Sequence, residues 1–454
     1  MSVDVTVAIR RAPRWCAMAF CALALVATAP LSARGTQIER LVTPGGIEVW
    51  VVRDATVPLV AIDFAFRGGA NQDPADKAGV ANMMAGLLDE GAGEYTDQVF
   101  HDLLERKAIE LNVTAGRDSV RGTLRTLKEN QDEAFNLLRL ALNEPRFDAG
   151  AVERIRAQVI SRLQRQTTSP NDISSRTWWE TAFPGHPYGR QVTGALDTVP
   201  LISADDLRTY RKRVLARDTL KVAVVGDIDI ASVGRLIDRA FGPLPAKAEL
   251  MPVPKATIQG LGRRTVVELD VPQAVMTFGG PGLARSDPDF MAGYVVNHVL
   301  GGGSFTSRLY REVREKRGLA YGVFDSMVWL NYAAVIVGGT ATRSDVTREA
   351  LDVIEGEFRN MAKDGPTQDE LDKAKTYLKG SFALGLDTST KIASQLVNMQ
   401  LDELGIDYIE RRPGLIDAVT LADAKRVAKR LLEPGLLVTV VGRPQGLTSK
   451  ASGG

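Results

Sequence analysis

Two stretches of this chain repeat each other in order. Ser203 to Leu215 (SADDLRTYRKRVL) leads into Leu220 to Gly226 (LKVAVVG), and Thr420 to Leu432 (TLADAKRVAKRLL) leads into Leu436 to Gly442 (LLVTVVG). The helical segments begin 217 residues apart (203 and 420), and each runs into a V-x-V-V-G strand of the fully buried type. Ala274 to Gly280 (AVMTFGG) likewise answers Val60 to Gly69, with Ser286-Asp287-Pro288 beside Gln72-Asp73-Pro74. One shared strand is ordinary chance, whereas a helix, a strand and a turn matching in the same order is not. At 454 residues the chain is also too long for one ordinary domain. The expected fold class is therefore α+β: two homologous domains, each a mainly antiparallel sheet covered by helices. The expected division is 34–248 and 249–454, with a linker near Pro243 to Pro254, where four prolines interrupt the pattern.

The first 33 residues read differently. Arg10, Arg11 and Arg14 precede an apolar run, Trp15 to Pro30, too short for a comfortable membrane span, and Ser32-Ala33 offers a processing site. This resembles a secretory signal peptide, an uncleaved anchor being the alternative. In a chain rich in alanine it suggests a bacterial periplasmic protein with no membrane attachment after cleavage. Both cysteines, Cys16 and Cys21, fall inside this segment, so the processed chain has no disulfide or thiol chemistry to draw on. A formal net charge of +1 gives no argument for nucleic acid.

Along the chain, Asp73 to Leu88 (DPADKAGVANMMAGLL) reads as a helix, Lys128 to Asn143 as a helix with a strong apolar stripe, and Asp148 to Arg165 as a long charged helix. Gly301 to Phe324 (GGGSFTSRLYREVREKRGLAYGVF) is the most distinctive stretch. Ser304 is a plausible N-cap after three glycines. Gly318 stands where a helix needs a left-handed residue to stop. Ala320 to Trp329 reads as a strand. The result is a helix–turn–strand corner with Arg314 on the last helical turn and Tyr321 at the start of the strand. Two readings are open. Arg314 is one of five cations (Arg308, Arg311, Arg314, Lys316, Arg317) on a solvated face, or a cation and a phenol there jointly grip a peptide carbonyl or carboxylate.

The segment SRLYREVREKRGLAYGV resembles the C-terminal-half signature of the pitrilysin/mitochondrial processing peptidase family of insulinase-like zinc peptidases. In that family an arginine and a tyrosine seven residues apart contact the substrate backbone, and Arg314 and Tyr321 have that spacing. The resemblance implies Arg314 and Tyr321 as substrate-binding residues. It also implies a zinc motif H-x-x-E-H on a helix in the first half, completed by a glutamate 77 residues past the second histidine. Histidines at i and i+4 share one helical face and can share a cation. Where the family reads G-L-A-H-x-x-E-H-x-L, this chain reads Gly79-Val80-Ala81-Asn82-Met83-Met84-Ala85-Gly86-Leu87-Leu88. The functional positions hold Asn82, Ala85 and Gly86, and the distant glutamate position holds Leu163. Asparagine is a poor zinc ligand and the others are none. The histidines are three: His101, on an amphipathic helix; His186, in the turn Gly185-His186-Pro187-Tyr188-Gly189; and His298, in an apolar helix. None is within helical reach of another.

The resemblance thus implies a metal-free subunit with no cofactor of its own and no catalytic residue in this chain alone. A homologous H-x-x-E-H partner chain would carry zinc, the two would enclose an extended peptide, and this chain would be inactive by itself. The alternative is a non-catalytic binding or scaffold protein of the same fold. No phosphate loop and no G-x-S-x-G serine elbow is present. Trp178, Trp179 and Tyr188 line a groove or, more ordinarily, lie in the core.

Overall fold

In the computed structural model, which describes residues 37–451, the two V-x-V-V-G segments become interior strands of two separate sheets. The first sheet holds β1 (Glu39–Val42), β2 (Glu48–Arg53), β3 (Leu59–Arg67), β4 (Glu110–Ala115), β5 (Ser119–Leu127) and β6 (Leu220–Gly226), in the order β1-β2-β6-β3-β5-β4. The second holds β7 (Arg264–Val267), β8 (Gln273–Pro281), β9 (Ala320–Trp329), β10 (Ala334–Arg343) and β11 (Leu437–Val441), in the order β7-β11-β8-β10-β9. β6 pairs parallel with β2 and antiparallel with β3, and β11 pairs parallel with β7 and antiparallel with β8. Every other pairing is antiparallel. The valine-rich strands are covered on both faces, which is why they lack polar alternation. The fold class expected from the repeat is the one observed.

The helices before the repeat strands start alike. Ser203 accepts from the Asp206 N–H while the Asp206 carboxylate accepts from the Ser203 N–H, and Thr420 and Asp423 do the same. Each capping box satisfies two N–H groups that a helix start leaves orphaned.

Each sheet has one face packed on helices of its own half, with Phe64, Phe66 and Phe241 central in the first core and Phe278 and Phe358 in the second. The opposite faces are covered by exchange. Helix Pro170–Ala182, from the first half, lies on β8 and β11 of the second sheet. Its Trp178 is fully buried and donates its indole N–H to the Leu437 carbonyl at 3.0 Å. Helix Ser389–Leu401, from the second half, lies on β3 and β6 of the first sheet, where Leu396 and Val397 meet Trp50, Ala65 and Val225. Its Gln400 donates to the Val222 carbonyl at 2.9 Å. Beside it, Arg121 on β5 makes a two-pronged contact with the buried Asp63 of β3 (2.9 and 3.0 Å) and reaches Asn398 and Ser394 of the exchanged helix at 2.7 and 2.9 Å.

A second bridge runs through the turn at His186. The Tyr188 hydroxyl donates to Asp118 at 2.6 Å and accepts from the Tyr332 N–H at 3.1 Å, while Asp118 also accepts from the Asn331 N–H. This ties the β4–β5 turn to the β9–β10 turn. The segment read as a signal peptide lies outside the described residues. No helix among the described residues is long and apolar enough to cross a membrane.

Candidate functional site

The corner predicted between residues 301 and 329 forms, by a route that differs at its start. Helix Phe290–Asn297 continues into a π-helical turn, His298–Gly302, then a short 3-10 turn, Ser304–Thr306. Ser304 is not the N-cap. Its φ of +48° turns the chain away, and the next helix is capped instead by Ser307, whose Oγ accepts from the Tyr310 N–H. Glycine is required at 301, because a Cβ there would lie 2.6 Å from the Asp325 carboxyl carbon and 2.9 Å from its backbone nitrogen. The helix widens into a π turn over Tyr310–Glu315 and stops at Gly318, in the left-handed region at φ +62° as expected. β9 then begins at Ala320, the residue the sequence indicated.

The five cations of this corner separate into two kinds. Arg308 grips Glu370 with two hydrogen bonds, at 2.8 and 2.6 Å. Lys316, Arg317 and Arg311 converge on Glu312. Burial pushes the Glu312 carboxyl up, but these three contacts outweigh it and hold it at about 2. Arg314 alone has no carboxylate partner among the described residues. Its guanidinium lies over two rings instead, 4.3 Å from the centroid of Tyr321 and 5.0 Å from that of Tyr310. Such stacking orients the cation while leaving its N–H donors unspent.

Tyr321 is 85% exposed, an unusual state for a tyrosine on a strand. Its position follows from a β-bulge: Ala320 pairs with Thr342 and Val323 with Thr340, so Tyr321 and Gly322 together oppose one residue, Ala341. Thr342 and Thr340 fix the bulge by donating their hydroxyls to the carbonyls of Leu319 and Gly322, at 2.5 and 2.7 Å. Phe324 (58% exposed) and Phe305 (70% exposed) extend the aromatic surface, and Phe305 meets Tyr310 edge-on at 5.1 Å. β9 is an edge strand, with one row of backbone donors and acceptors unpaired by any described strand.

Beneath this surface Asp325 is 1% exposed. One carboxylate oxygen accepts from the Asn297 amide at 2.5 Å, and the other has no partner among the described residues. Desolvation pushes this acid up to about 8, with the Asn297 hydrogen bond opposing. Tyr310, Phe305, Phe324 and Asp325 escaped sequence reasoning. The bulge breaks the alternation that would have flagged the aromatics, and the pairing of Asn297 with Asp325 is visible only in three dimensions.

In the first half, the helix expected over Asp73–Leu88 is only Val80–Ala85. Gly79, at φ +105°, separates it from the preceding turns, and Gly86 ends it. Asp73 serves the start of this short helix from a distance, accepting from the N–H groups of Gly79 and Ala81 at 2.8 and 3.0 Å. Burial pushes Asp73 up to about 7 against those contacts. Asn82, Ala85 and Gly86 lie on or directly after this helix, and Leu163 is buried in the first core. One amide is the whole donor set of these four side chains, so they do not fit a zinc ion. Among the described residues no three His, Cys, Asp or Glu side chains are placed to hold a metal.

Two of the three histidines are structural in placement, and the third, His101, is half-buried on helix Asp97–Arg106. His186 accepts from the Tyr188 N–H at 3.1 Å and meets the Pro254 carbonyl at 3.0 Å. His298 is buried, stacks on Tyr377 at 4.9 Å, and has its pKa lowered by burial. Trp178, Trp179 and Tyr188 are core residues rather than a groove lining.

Residues 48–196 match the family described as insulinase (peptidase family M16), and residues 201–378 match the peptidase M16 inactive domain. The chain is 29% identical over 333 residues, 73% of its own length and 77% of the other's, to the protein named non-peptidase homolog YmxG of Helicobacter pylori. It is 27% identical to an uncharacterized zinc protease of Streptomyces coelicolor, with 89% of each chain covered. The crystal structure of a peptidase M16 inactive domain from Pseudomonas fluorescens superposes with a TM-score of 0.85 at 25% identity, covering 92% of this chain and all of that one. With family models matching both of its halves and these relatives covering most of its length, the chain belongs to the insulinase-like M16 peptidase family.

Proposed function

We propose that this chain is the metal-free, peptide-gripping subunit of a two-chain M16 peptidase, working with a homologous H-x-x-E-H partner that brings the zinc. The observation that carries the reading is the state of Arg314. Its four neighbouring cations are neutralised by Glu370 and Glu312, while Arg314 is held over exposed Tyr321 and makes no side-chain hydrogen bond among the described residues. A substrate strand adding to β9 would present backbone carbonyls to this pair. Arg314 donates to a carbonyl near the bond to be cut, and the Tyr321 hydroxyl donates to the oxygen on which negative charge develops. Aimed donors stabilise charge but activate no water, so this chain alone is inert. The N-terminal segment before residue 34 would direct export to the periplasm.

The test is hydrolysis of a quenched fluorescent peptide library by the processed chain alone, by its H-x-x-E-H homologue alone, and by the mixture, with zinc measured in each. Activity in the mixture that Arg314→Ala abolishes, with no zinc and no turnover from this chain alone, is the expected result. Zinc-dependent turnover by this chain alone would overturn it. A mixture no more active than the homologue would point instead to a binding or scaffold protein.

A further inference from the structure

A second site lies away from the arginine–tyrosine corner, in the helical layer outside the second sheet. Helices Thr347–Asp364 and Leu421–Leu432 line, with β7 and β11, a cavity of about 570 Å³. That volume suits a small molecule. Its floor is apolar: Phe358, Leu432, Leu436 and Val438, all buried in the second core, with half-buried Ala362 at the side. Its rim is cationic, with Arg263, Arg264, Arg359, Lys363, Lys429 and Lys450 against Glu355 and Glu433 alone among the described residues. In a chain of formal net charge +1, six cations to two acids around one apolar hollow is a strong local bias.

Arg264 shows that this is more than a solvated rim. Its backbone is held on both sides: it stands opposite Val438 of β11 in the parallel pairing, and it exchanges two N–H···O bonds with Lys450, of 2.8 and 2.7 Å. Its guanidinium is mostly buried and spends one N–H on Glu355 at 3.2 Å, and its buried Nε–H has no acceptor among the described residues. A buried charged donor without a partner is costly and calls for an acceptor. Glu355 is already shared with Arg359.

The geometry points to a binding site for a small amphipathic carboxylate, an aliphatic chain on the Phe358–Leu436 floor with its anionic head at Arg264. Neither a bare inorganic anion nor a neutral alkane derivative satisfies both halves of the cavity.

Isothermal titration calorimetry of the full processed chain with decanoate tests this, with decanol and inorganic phosphate as the two partial ligands. Decanoate is expected to bind one to one, with decanol and phosphate each at least tenfold weaker. Arg264→Met should weaken decanoate at least tenfold and leave decanol unchanged. Ala362→Phe, at a half-buried position, should fill the hollow and abolish binding, with thermal melting confirming that both variants fold. Arg314→Ala should leave decanoate binding unaltered, which separates this site from the peptide grip. Absence of decanoate binding at millimolar concentration overturns the proposal. So does equal binding of decanol or phosphate, or insensitivity to Arg264→Met.

Discussion

The guanidinium of Arg314 sits 4.3 Å above the ring of Tyr321, and the two side chains share no hydrogen bond. The ring therefore positions the cation, while the hydroxyl remains a separate donor. Tyr321→Phe keeps the ring and removes only the hydroxyl, whereas Tyr321→Ala removes both. In the mixture with the zinc-bearing homologue, Tyr321→Phe is expected to lower turnover about 100-fold, as loss of one oxyanion donor does. Tyr321→Ala should cost more, and in either variant stability should change by less than about 1 kcal/mol, because the pair is exposed. Thermal melts beside single-turnover assays separate the two effects.

Asp325 makes stability depend on pH. Its folded pKa, about 8, lies above the ordinary 3.8, so the folded chain holds a proton that the unfolded chain releases. That stabilisation is complete below about pH 4 and is lost as pH rises through about 8. Asp73, raised to about 7, acts in the same direction over a slightly lower window. Urea melts between pH 5 and pH 9 should show stability falling with pH, and Asp325→Asn should flatten the slope and raise stability at pH 9. An unchanged slope in that variant would remove Asp325 as the cause.

Gly301→Ala probes the same support from above. The new Cβ meets both the carboxyl carbon and the backbone nitrogen of Asp325, so the chain must shift. A cost of about 2 kcal/mol is expected, in the range for overpacking a core. Chemical denaturation measures it, and a neutral result would mean that the 298–303 turn yields freely.

Arg121→Met leaves Asp63 buried without its cation and frees Asn398 and Ser394 of the exchanged helix. The expected loss is about 3 kcal/mol, the low end for breaking a buried ion pair, because Arg121 is itself partly exposed. The double variant Arg121→Met with Asp63→Leu should recover much of this, because no unpaired charge then remains buried.

How much of this was legible in the sequence depends on how far apart the partners lie. The V-x-V-V-G strands, the start of β9 and the stop at Gly318 are local features, set by burial on both faces and by a left-handed backbone, and they read correctly. The helix at Asp73–Leu88 read too long: apolar periodicity runs through Gly79 and Gly86, but the backbone breaks at both. Ser304 looked like a cap because three glycines precede it, yet the chain must first clear Asp325, and that pushes the true cap to Ser307. Arg314 was one cation among five until folding brought distant Glu370 to Arg308 and the local helical turn set Glu312 against Arg311, Lys316 and Arg317. The helices that cross between sheets left no signature, since an apolar stripe says that it is buried and not against what.

Those crossings make the two halves hostage to each other. Cut at the Pro243–Pro254 linker, each fragment would keep its sheet and lose a helix from one face, leaving Trp50, Ala65 and Val225 bare in one piece and Leu437 bare in the other. The covalent connection through Pro243 to Pro254 joins the two halves that exchange these helices. It fixes the local concentration of one half for the other and makes their docking a single-chain event. The contacts that seal the faces join residues as far apart as Gln400 and Val222, 178 positions in sequence, the non-local kind of pairing that slows folding.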